Sequence, residues 1–189
     1  MSAKPNPAPA RGVAKTGHAE ALIDAPSDAV WRVVADVTRT GEWSHECRHV
    51  RWLGPAAGPA PGARFRGSNR SGWLRWRRVC EILTADPPRE LAWRTLSTPL
   101  YPDSTEWHIL TQPAGSRTRI AESYQVVRLP PAWLDRLMAL VNPSRIDRAA
   151  ALQSDLRRLA ALAASGAGAT AAQEPPAEAA VEVRDANRQ

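Results

Sequence analysis

The feature that most constrains the fold of this chain is a change of hydrophobic period at Pro26. Residues 19–23 place Ala19, Ala21 and Ile23 on one face of a strand, whereas residues 27–37 space their apolar side chains as one face of a helix does. The helical set consists of Val30, Val33, Val34 and Val37. Because proline is tolerated in a first helical turn, the chain is predicted to open with a strand that leads directly into a short helix.

Between residues 44 and 128, short apolar runs alternate with turns that contain glycine or proline. This pattern is typical of antiparallel strands that follow one another along the chain. The predicted strands are Cys47–Leu53, Ala63–Arg70, Leu74–Leu83, Glu90–Ser97, Thr105–Thr111 and Thr118–Val127. Together with the opening strand they make a seven-stranded sheet.

Helical spacing returns after Pro130 and Pro131 and is interrupted at Asn142-Pro143, since a proline ring clashes with the preceding helical turn. A second, longer amphipathic segment is predicted from Ser144 to Ala164, with Ile146 and several leucines on one stripe. At 1.5 Å per residue it extends roughly 30 Å, which is enough to cross a whole sheet.

The ends of the chain differ in composition from its middle. Residues 1–15 and 165–189 are rich in alanine, glycine and proline without periodicity, and we predict a disordered arm and a disordered tail around a domain at 16–164. The chain has a net charge of +6, no apolar run long enough to span a bilayer and no apolar core of a secretory signal, so a cytoplasmic location is expected. Its two cysteines, Cys47 and Cys80, do not indicate a disulfide scaffold.

Several segments resemble the START-like (SRPBCC) superfamily, and in particular its polyketide cyclase/dehydrase and lipid-transport group. The likeness rests on APSDAVWRVVADVTRTGEW from Ala25 to Trp43, GARF from Gly62, DPPRELAW from Asp86, STEW from Ser104 and GSRTRIAESYQVV from Gly115. It implies an α+β helix-grip fold, in which a curved seven-stranded antiparallel sheet wraps around a long C-terminal helix and two short helices follow the first strand. The superfamily includes carriers and enzymes, so this likeness does not by itself assign a function.

Alternation within the predicted strands indicates which side chains face the interior. The inward sets are Phe65, Gly67 and Asn69; Leu91, Trp93 and Thr95; Thr105, Trp107, Ile109 and Thr111; and Ile120, Glu122, Tyr124 and Val126. On Leu74–Leu83 both faces carry apolar residues, and the sequence does not assign one of them to the interior.

This inner face mixes large apolar side chains with a few polar groups, which is typical of a small-molecule pocket. The predicted ligand-binding residues are Trp43, Phe65, Asn69, Trp93, Trp107, Ile109, Ile120, Glu122 and Tyr124. A buried carboxyl group either finds a hydrogen-bond donor or has its pKa raised by desolvation. Glu122 is therefore the candidate polar anchor or proton-transfer group, with Tyr124 as a hydrogen-bond donor, although a purely structural pairing of Glu122 explains the same pattern.

Two other groups of residues carry side chains suited to a site. His45, Cys47 and His49 are potential zinc ligands at alternate positions, but no fourth ligand accompanies them, so we predict neither a metal nor a cofactor. Arginines and tryptophans also cluster on the third and fourth strands, where charge and stacking would suit a nucleic acid. They are Arg64, Arg66, Arg70, Arg75, Arg77 and Arg78 with Trp73 and Trp76. A solvated strand face explains this cluster more simply.

The sequence contains none of the common catalytic motifs, such as a nucleophile elbow, a zinc-protease helix or a phosphate-binding glycine loop. It therefore does not decide whether the protein is an enzyme. The leading hypothesis is binding or transport of a hydrophobic, lipid-like or polycyclic molecule in an internal cavity. The alternative is a cyclase or dehydratase acting in the same cavity, with Glu122 and Tyr124 as candidate catalytic residues, and the third hypothesis is nucleic-acid binding. The sequence predicts no oligomeric state.

Overall fold

The computed structural model describes residues 15–141 and 148–173, and within these residues the chain forms a curved antiparallel sheet covered on one face by helices. The strands are β1 (Thr16–Ile23), β2 (Cys47–Leu53), β3 (Arg64–Ser71), β4 (Leu74–Asp86), β5 (Glu90–Thr95), β6 (Ser104–Ala114) and β7 (Arg117–Arg128). Residues 1–14 of the predicted arm at 1–15, residues 174–189 of the predicted tail at 165–189, the Asn142-Pro143 break, Ser144 and Ile146 lie outside the described residues.

The seven strands are ordered β1-β7-β6-β5-β4-β3-β2, and each pairs antiparallel with its neighbours. Strand β1 is thus an edge strand that pairs with the last strand, β7, and strands β2 to β7 lie side by side in chain order. The predicted helix-grip sheet is confirmed in its strand number and direction.

The helices are α1 (Ser27–Ala35), α2 (Thr40–Trp43), α3 (Ala132–Val141) and α4 (Ala149–Gln173), and a 3-10 turn at Val37–Arg39 links α1 to α2. The long helix α4 contacts β1, α1 and α2, and its Leu152, Leu156 and Leu159 are fully buried. It continues past Ala164, where the sequence interpretation placed its end, because the alanine-rich segment that follows contains no proline before residue 175. None of the described helices combines the length and apolar character that crossing a membrane requires.

The period change at Pro26 marks the junction between β1 and α1. The carbonyl of Pro26 accepts hydrogen bonds from the backbone N–H groups of Ala29 and Val30, at 3.0 and 3.2 Å, and so begins the helix. The hydroxyl of Thr118 on β7 donates to the carbonyl of Ala25 at 2.8 Å and fixes this junction to the sheet. Val30, Val33 and Val34 are buried, in agreement with the predicted helix face.

The structure resolves the face of β4 that alternation left open. Cys80 and Ile82 are buried on the inner side with the partly buried Trp76 and Arg78, whereas Arg75 and Arg77 are exposed on the outer side. The arginine cluster is therefore divided between two faces of the sheet, and Arg78 does not contribute to an outer basic surface.

Candidate functional site

A cavity of about 390 Å³ lies between the inner face of the sheet and the helices. Its wall is mainly apolar, with side chains from α1, from α2 and from strands β2 to β7. Trp43, Phe65, Asn69, Trp93, Trp107, Ile109 and Glu122 all line it, as do Val34, Val37 and Val50. Pockets of roughly 300–1,000 Å³ with this composition accommodate drug-sized molecules.

An aromatic row crosses the inner face of the sheet from β2 to β7. Ring centroids are separated by 5.9 Å between Trp52 and Phe65, by 6.5 Å between Phe65 and Trp93, and by 6.2 Å between Trp93 and Trp107. Trp107 then contacts Tyr124 at 5.0 Å. Trp93 pairs with Trp107 in the strand register and their planes differ by only 5°, so the two indoles lie parallel to each other on the cavity wall.

Glu122 is a carboxyl group on the cavity wall with a strongly perturbed pKa. Its side chain is buried, and burial together with the negative charge of Asp155 raises its pKa to about 8, although the positive charge of His45 opposes the shift. Its Oε2 has no hydrogen-bond partner within the described part of the chain. At neutral pH Glu122 is therefore mostly protonated and can donate a hydrogen bond into the cavity.

His45, in the segment between α2 and β2, faces Asp155 on α4, and its Nδ1 lies 2.6 Å from Oδ2 of that carboxylate. Burial lowers the pKa of His45, but the interactions with the carboxylates of Asp155 and Glu46 outweigh this effect and raise the pKa to about 9. Nε2 of His45 is buried, lies 3.7 Å from the Glu46 carboxylate and has no hydrogen-bond partner among the described residues. At neutral pH the imidazolium Nε2–H at the cavity wall is therefore held, by the residues that the structure describes, only through a long ion pair with Glu46.

Arg148 adds a second positive charge beside His45. Its guanidinium lies 5.3 Å from the ring centroid of Tyr124 and 5.8 Å from that of Trp107, and its Nη2 is 3.8 Å from a carboxylate oxygen of Glu46. The Arg148 side chain is buried and lines the cavity. His45, Glu46, Arg148 and Asp155 form one network, which we call the helix-side cluster.

Arg78 and Asp103 form a second polar group on the cavity wall. Nη1 of Arg78 contacts both carboxylate oxygens of Asp103 at 3.0–3.1 Å, and Nη2 donates to the Asp103 carbonyl at 2.9 Å. The guanidinium also lies 5.4 Å from the ring centroid of Tyr101. These contacts hold the loop between β5 and β6 against β4 and neutralise the charge of Arg78, while its Nε has no hydrogen-bond partner among the described residues.

The sequence matches the model of one protein family, and the observed fold and cavity are consistent with that match. A family model for polyketide cyclases, dehydrases and lipid-transport proteins matches residues 16–164. The chain belongs to this family. Comparison with curated proteins gave no match.

Solved structures with the same fold have low sequence identity to this member of the polyketide cyclase/dehydrase and lipid-transport family. TTHA0849 from Thermus thermophilus is 18% identical with a TM-score of 0.61, over 79% of this chain and 97% of that one. The ZhuI aromatase/cyclase from Streptomyces sp. R1128 is 19% identical with a TM-score of 0.59, over 79% and 94%. Ara h 8.0201 is 10% identical with a TM-score of 0.55, over 79% and 97%. At these identities the likeness establishes the helix-grip fold alone.

Two predicted site residues of this family member lie outside the cavity lining. Ile120 is completely buried in the core, where β7 packs against the rest of the molecule. The Tyr124 ring is enclosed by Trp107 and Arg148, and a side chain at Gly17 would overlap it. Tyr124 therefore supports Trp107 and Arg148, and the structure does not place it among the groups that face a ligand.

The potential zinc ligands are separated in the structure. The register of β2 shifts between Cys47 and His49, so Cys47 is buried against the cavity while His49 is exposed. His45 is engaged with Asp155, and burial raises the pKa of the Cys47 thiol to about 11, which disfavours its thiolate form. Among the described residues, no group of three or more metal-binding side chains is assembled.

Sequence reasoning did not identify the helix-side cluster, although a signal for it was present. Arg148 and Asp155 fall on the same stripe as Leu152 and Leu159, at helical spacings of three and four residues. A charged residue within an apolar stripe has to be paired or to serve a site, because an unpaired buried charge is costly. The partner in this protein, His45, is 110 residues away from Asp155, and no local pattern connects the two.

Proposed function

We propose that the protein binds a hydrophobic cyclic or lipid-like molecule that carries at least one oxygen function. Trp43, Phe65, Trp93, Trp107 and Ile109 supply apolar contact, and Asn69 and Glu122 set the orientation of the ligand. The observation that carries the proposal is a cavity whose apolar wall contains buried polar atoms without partners among the described residues. Trp43 Nε1, His45 Nε2, Glu122 Oε2 and Arg148 Nε are four such atoms.

These atoms favour an oxygen-bearing ligand over a pure hydrocarbon. Three of the four are N–H groups that require an acceptor, and protonated Glu122 can donate as well. Leaving buried donors unsatisfied costs about 1–3 kcal/mol each, so a carbonyl or hydroxyl oxygen at this position contributes to affinity beyond the apolar contact. The stacked indoles of Trp93 and Trp107 favour a flat ring system over a flexible chain.

Gly67 provides a direct test, because it faces the cavity and has no side chain. A Cβ built there meets nothing closer than 3.8 Å, so Gly67→Leu directs a side chain into the cavity without a backbone clash. We expect the variant to lose binding of 1-naphthol, used as a bicyclic probe, at least about tenfold in a calorimetric titration. Native mass spectrometry of the purified wild-type protein would identify any retained molecule.

Ser68→Leu is the matched control, since Ser68 is the next residue of the same strand and does not line the cavity. It should leave probe binding unchanged. Equal affinity of the Gly67→Leu and wild-type proteins, with both folded by circular dichroism, would contradict a ligand site in this cavity.

An enzymatic function, of the cyclase or dehydratase type, is the second candidate. It is favoured by Glu122, whose pKa is raised from 4.5 to about 8 on an apolar wall and so lies near neutral pH. Acid–base catalysis uses groups whose pKa values have been moved toward the working pH. One of the structural neighbours is described as an aromatase/cyclase.

Glu122→Gln separates the two functions. A carrier loses only part of its affinity, because glutamine retains a hydrogen-bond donor of the same size. An enzyme that uses Glu122 for proton transfer loses about 10²–10⁴ in turnover. The measurement pairs ligand titration with product analysis for the molecule that native mass spectrometry identifies, and unchanged turnover would exclude Glu122 as the proton-transfer group.

A further inference from the structure

The antiparallel order brings three separate segments to one end of the sheet. The β3–β4 turn, the β5–β6 loop and the segment from the end of β7 into α3 all lie there, beside the start of β1. Leu74, Tyr101 and Pro130, one from each segment, line the cavity. The cavity therefore reaches this end of the molecule, which we call the mouth.

Exposed apolar side chains are concentrated at the mouth. The structure gives nine large hydrophobic residues with exposed side chains among the described residues, and seven of them belong to these three segments. They are Trp73, Leu100, Val127, Leu129, Trp133, Leu137 and Leu140, which we call the mouth rim. Trp73, Leu100 and Leu140 are exposed by 75–80%. A soluble chain rarely groups such residues around one opening unless they are covered by a partner.

Helix α3 contributes an apolar face to the rim. Trp133, Leu137 and Leu140 are spaced as one face of a helix, and all three are exposed. Leu134, on another side of the helix, lines the cavity. The helix thus presents apolar residues both toward the cavity and toward solvent, in contrast to the apolar and polar faces of an ordinary surface helix.

Positive charge surrounds this apolar rim. Lys15, Arg70, Arg75, Arg128 and Arg136 are exposed at the mouth end, and Arg136 lies on the same face of α3 as Trp133 and Leu140. Within the three segments the acidic residues are Asp103, which is paired with Arg78, and Asp135. Beside them, Glu46 lies against His45 and Arg148, and Glu106 pairs with Arg94. Tryptophan and basic residues around leucines are the composition that binds at the interface of a bilayer with anionic headgroups.

We propose that the mouth rim docks on an anionic lipid bilayer, with Trp73, Leu100 and the exposed face of α3 inserted at the headgroup level. The arginines then lie against lipid phosphates, and the cavity opens toward the acyl chains. A hydrophobic molecule can then pass between bilayer and cavity without crossing water. The inference rests on the distribution of exposed residues and charge, and holds whether the cavity serves a carrier or an enzyme.

Vesicle flotation of the full-length protein tests this proposal. The probes are vesicles of phosphatidylcholine alone and of equal parts phosphatidylcholine and phosphatidylglycerol. We expect binding to the mixed vesicles that weakens as salt is added, because screening reduces attraction to the anionic surface. The double variant Trp133→Ser/Leu140→Ser should lower vesicle affinity at least about tenfold, since two apolar side chains no longer insert.

Leu22→Ser/Leu110→Ser is the matched control, because Leu22 and Leu110 are the two exposed large hydrophobic residues away from the mouth in the described part of the chain. It should bind vesicles as the wild type does, and circular dichroism should show that both variants are folded. Absence of vesicle binding by the wild type, or equal binding by the rim variant, would overturn the proposal. A concentration-dependent dimer that only the rim variant abolishes would also overturn it and assign the rim to a second copy of the chain.

Discussion

At the scale of single residues, the site depends on polar groups whose charge states are set by their surroundings. Glu122 and His45 both hold a proton at neutral pH, the first because burial disfavours its carboxylate and the second because Asp155 and Glu46 favour its imidazolium. The two groups present hydrogen-bond donors to the same cavity. A ligand that accepts hydrogen bonds is therefore favoured below about pH 8, where both groups remain protonated.

The charge state of His45 is predicted to depend on Asp155. Asp155→Asn removes a carboxylate that offsets the burial of the imidazole, so we expect the pKa of His45 to fall from about 9 toward its ordinary value of 6.5. The histidine proton resonances, followed by NMR as a function of pH, measure this change.

Arg158→Gln is the control, because Arg158 pairs with the same carboxylate at 2.8 Å but its side chain is 42% exposed to solvent. It should leave the pKa of His45 raised. A His45 pKa that stays near 9 in Asp155→Asn would contradict the assigned hydrogen bond.

At the scale of elements, packing between β1 and β7 depends on the absence of a side chain at Gly17. The backbone of Gly17 pairs with Tyr124 in the strand register, and a Cβ at this position would overlap the tyrosine ring. The ring occupies this space because Trp107 and Arg148 hold it from its other sides. Gly17 on the edge strand β1 thus leaves room for the Tyr124 ring, which in turn contacts the cavity residues Trp107 and Arg148.

Gly17→Ala should accordingly destabilise the protein by about 1–3 kcal/mol, as overpacking of a filled site generally does. Urea denaturation gives the free energy of unfolding. Gly67→Ala serves as the comparison, because its added methyl group has free space on the cavity side and should cost less. A smaller loss for Gly17→Ala than for Gly67→Ala would show that Tyr124 can move aside.

Most elements could be predicted from the sequence because their signals are local. The spacing of apolar residues, together with the positions of glycine and proline, located all seven strands and the long helix. Alternation along β7 placed Glu122 on the inner face, because the apolar Ile120 two residues earlier showed which face is buried. The same method gave no face for β4, since Arg78 is inside only because Asp103 on a separate loop neutralises it. Long-range pairs of this kind leave no periodic trace in a single sequence.

At the scale of the whole molecule, the two raised pKa values give the stability a specific pH dependence. The native state keeps protons that the unfolded chain releases, on Glu122 above an ordinary pKa of 4.5 and on His45 above 6.5. Stability falls with rising pH wherever the native state binds more protons than the unfolded state. The two contributions overlap between about pH 6.5 and pH 8.

We therefore expect the free energy of unfolding to decrease as pH rises through this window, and Glu122→Gln to reduce the slope. The stabilisation from His45 is fully present below pH 6.5 and is lost as pH rises through about 9. Burial of Glu122 destabilises the native state increasingly as pH rises from 4.5 to about 8, because the unfolded chain releases this proton and the native state retains it. Denaturation series at fixed ionic strength measure the slope. A stability that rises between pH 6.5 and pH 8 would contradict both assignments.

The buried leucines of helix α4 share one stripe with Asp155 and with Arg148, which directly precedes the helix, so this stripe both packs the helix and supplies polar groups to the cavity. Ligand selectivity and fold stability are thereby coupled. A substitution at either charged position leaves its partly buried ion-pair partner without this counter-charge, and it also weakens the packing of the helix. An engineer who wishes to alter which molecule is accepted should start on the opposite wall, at Gly67 or Asn69. Substitutions there reshape the chamber and leave the scaffold's charge balance intact.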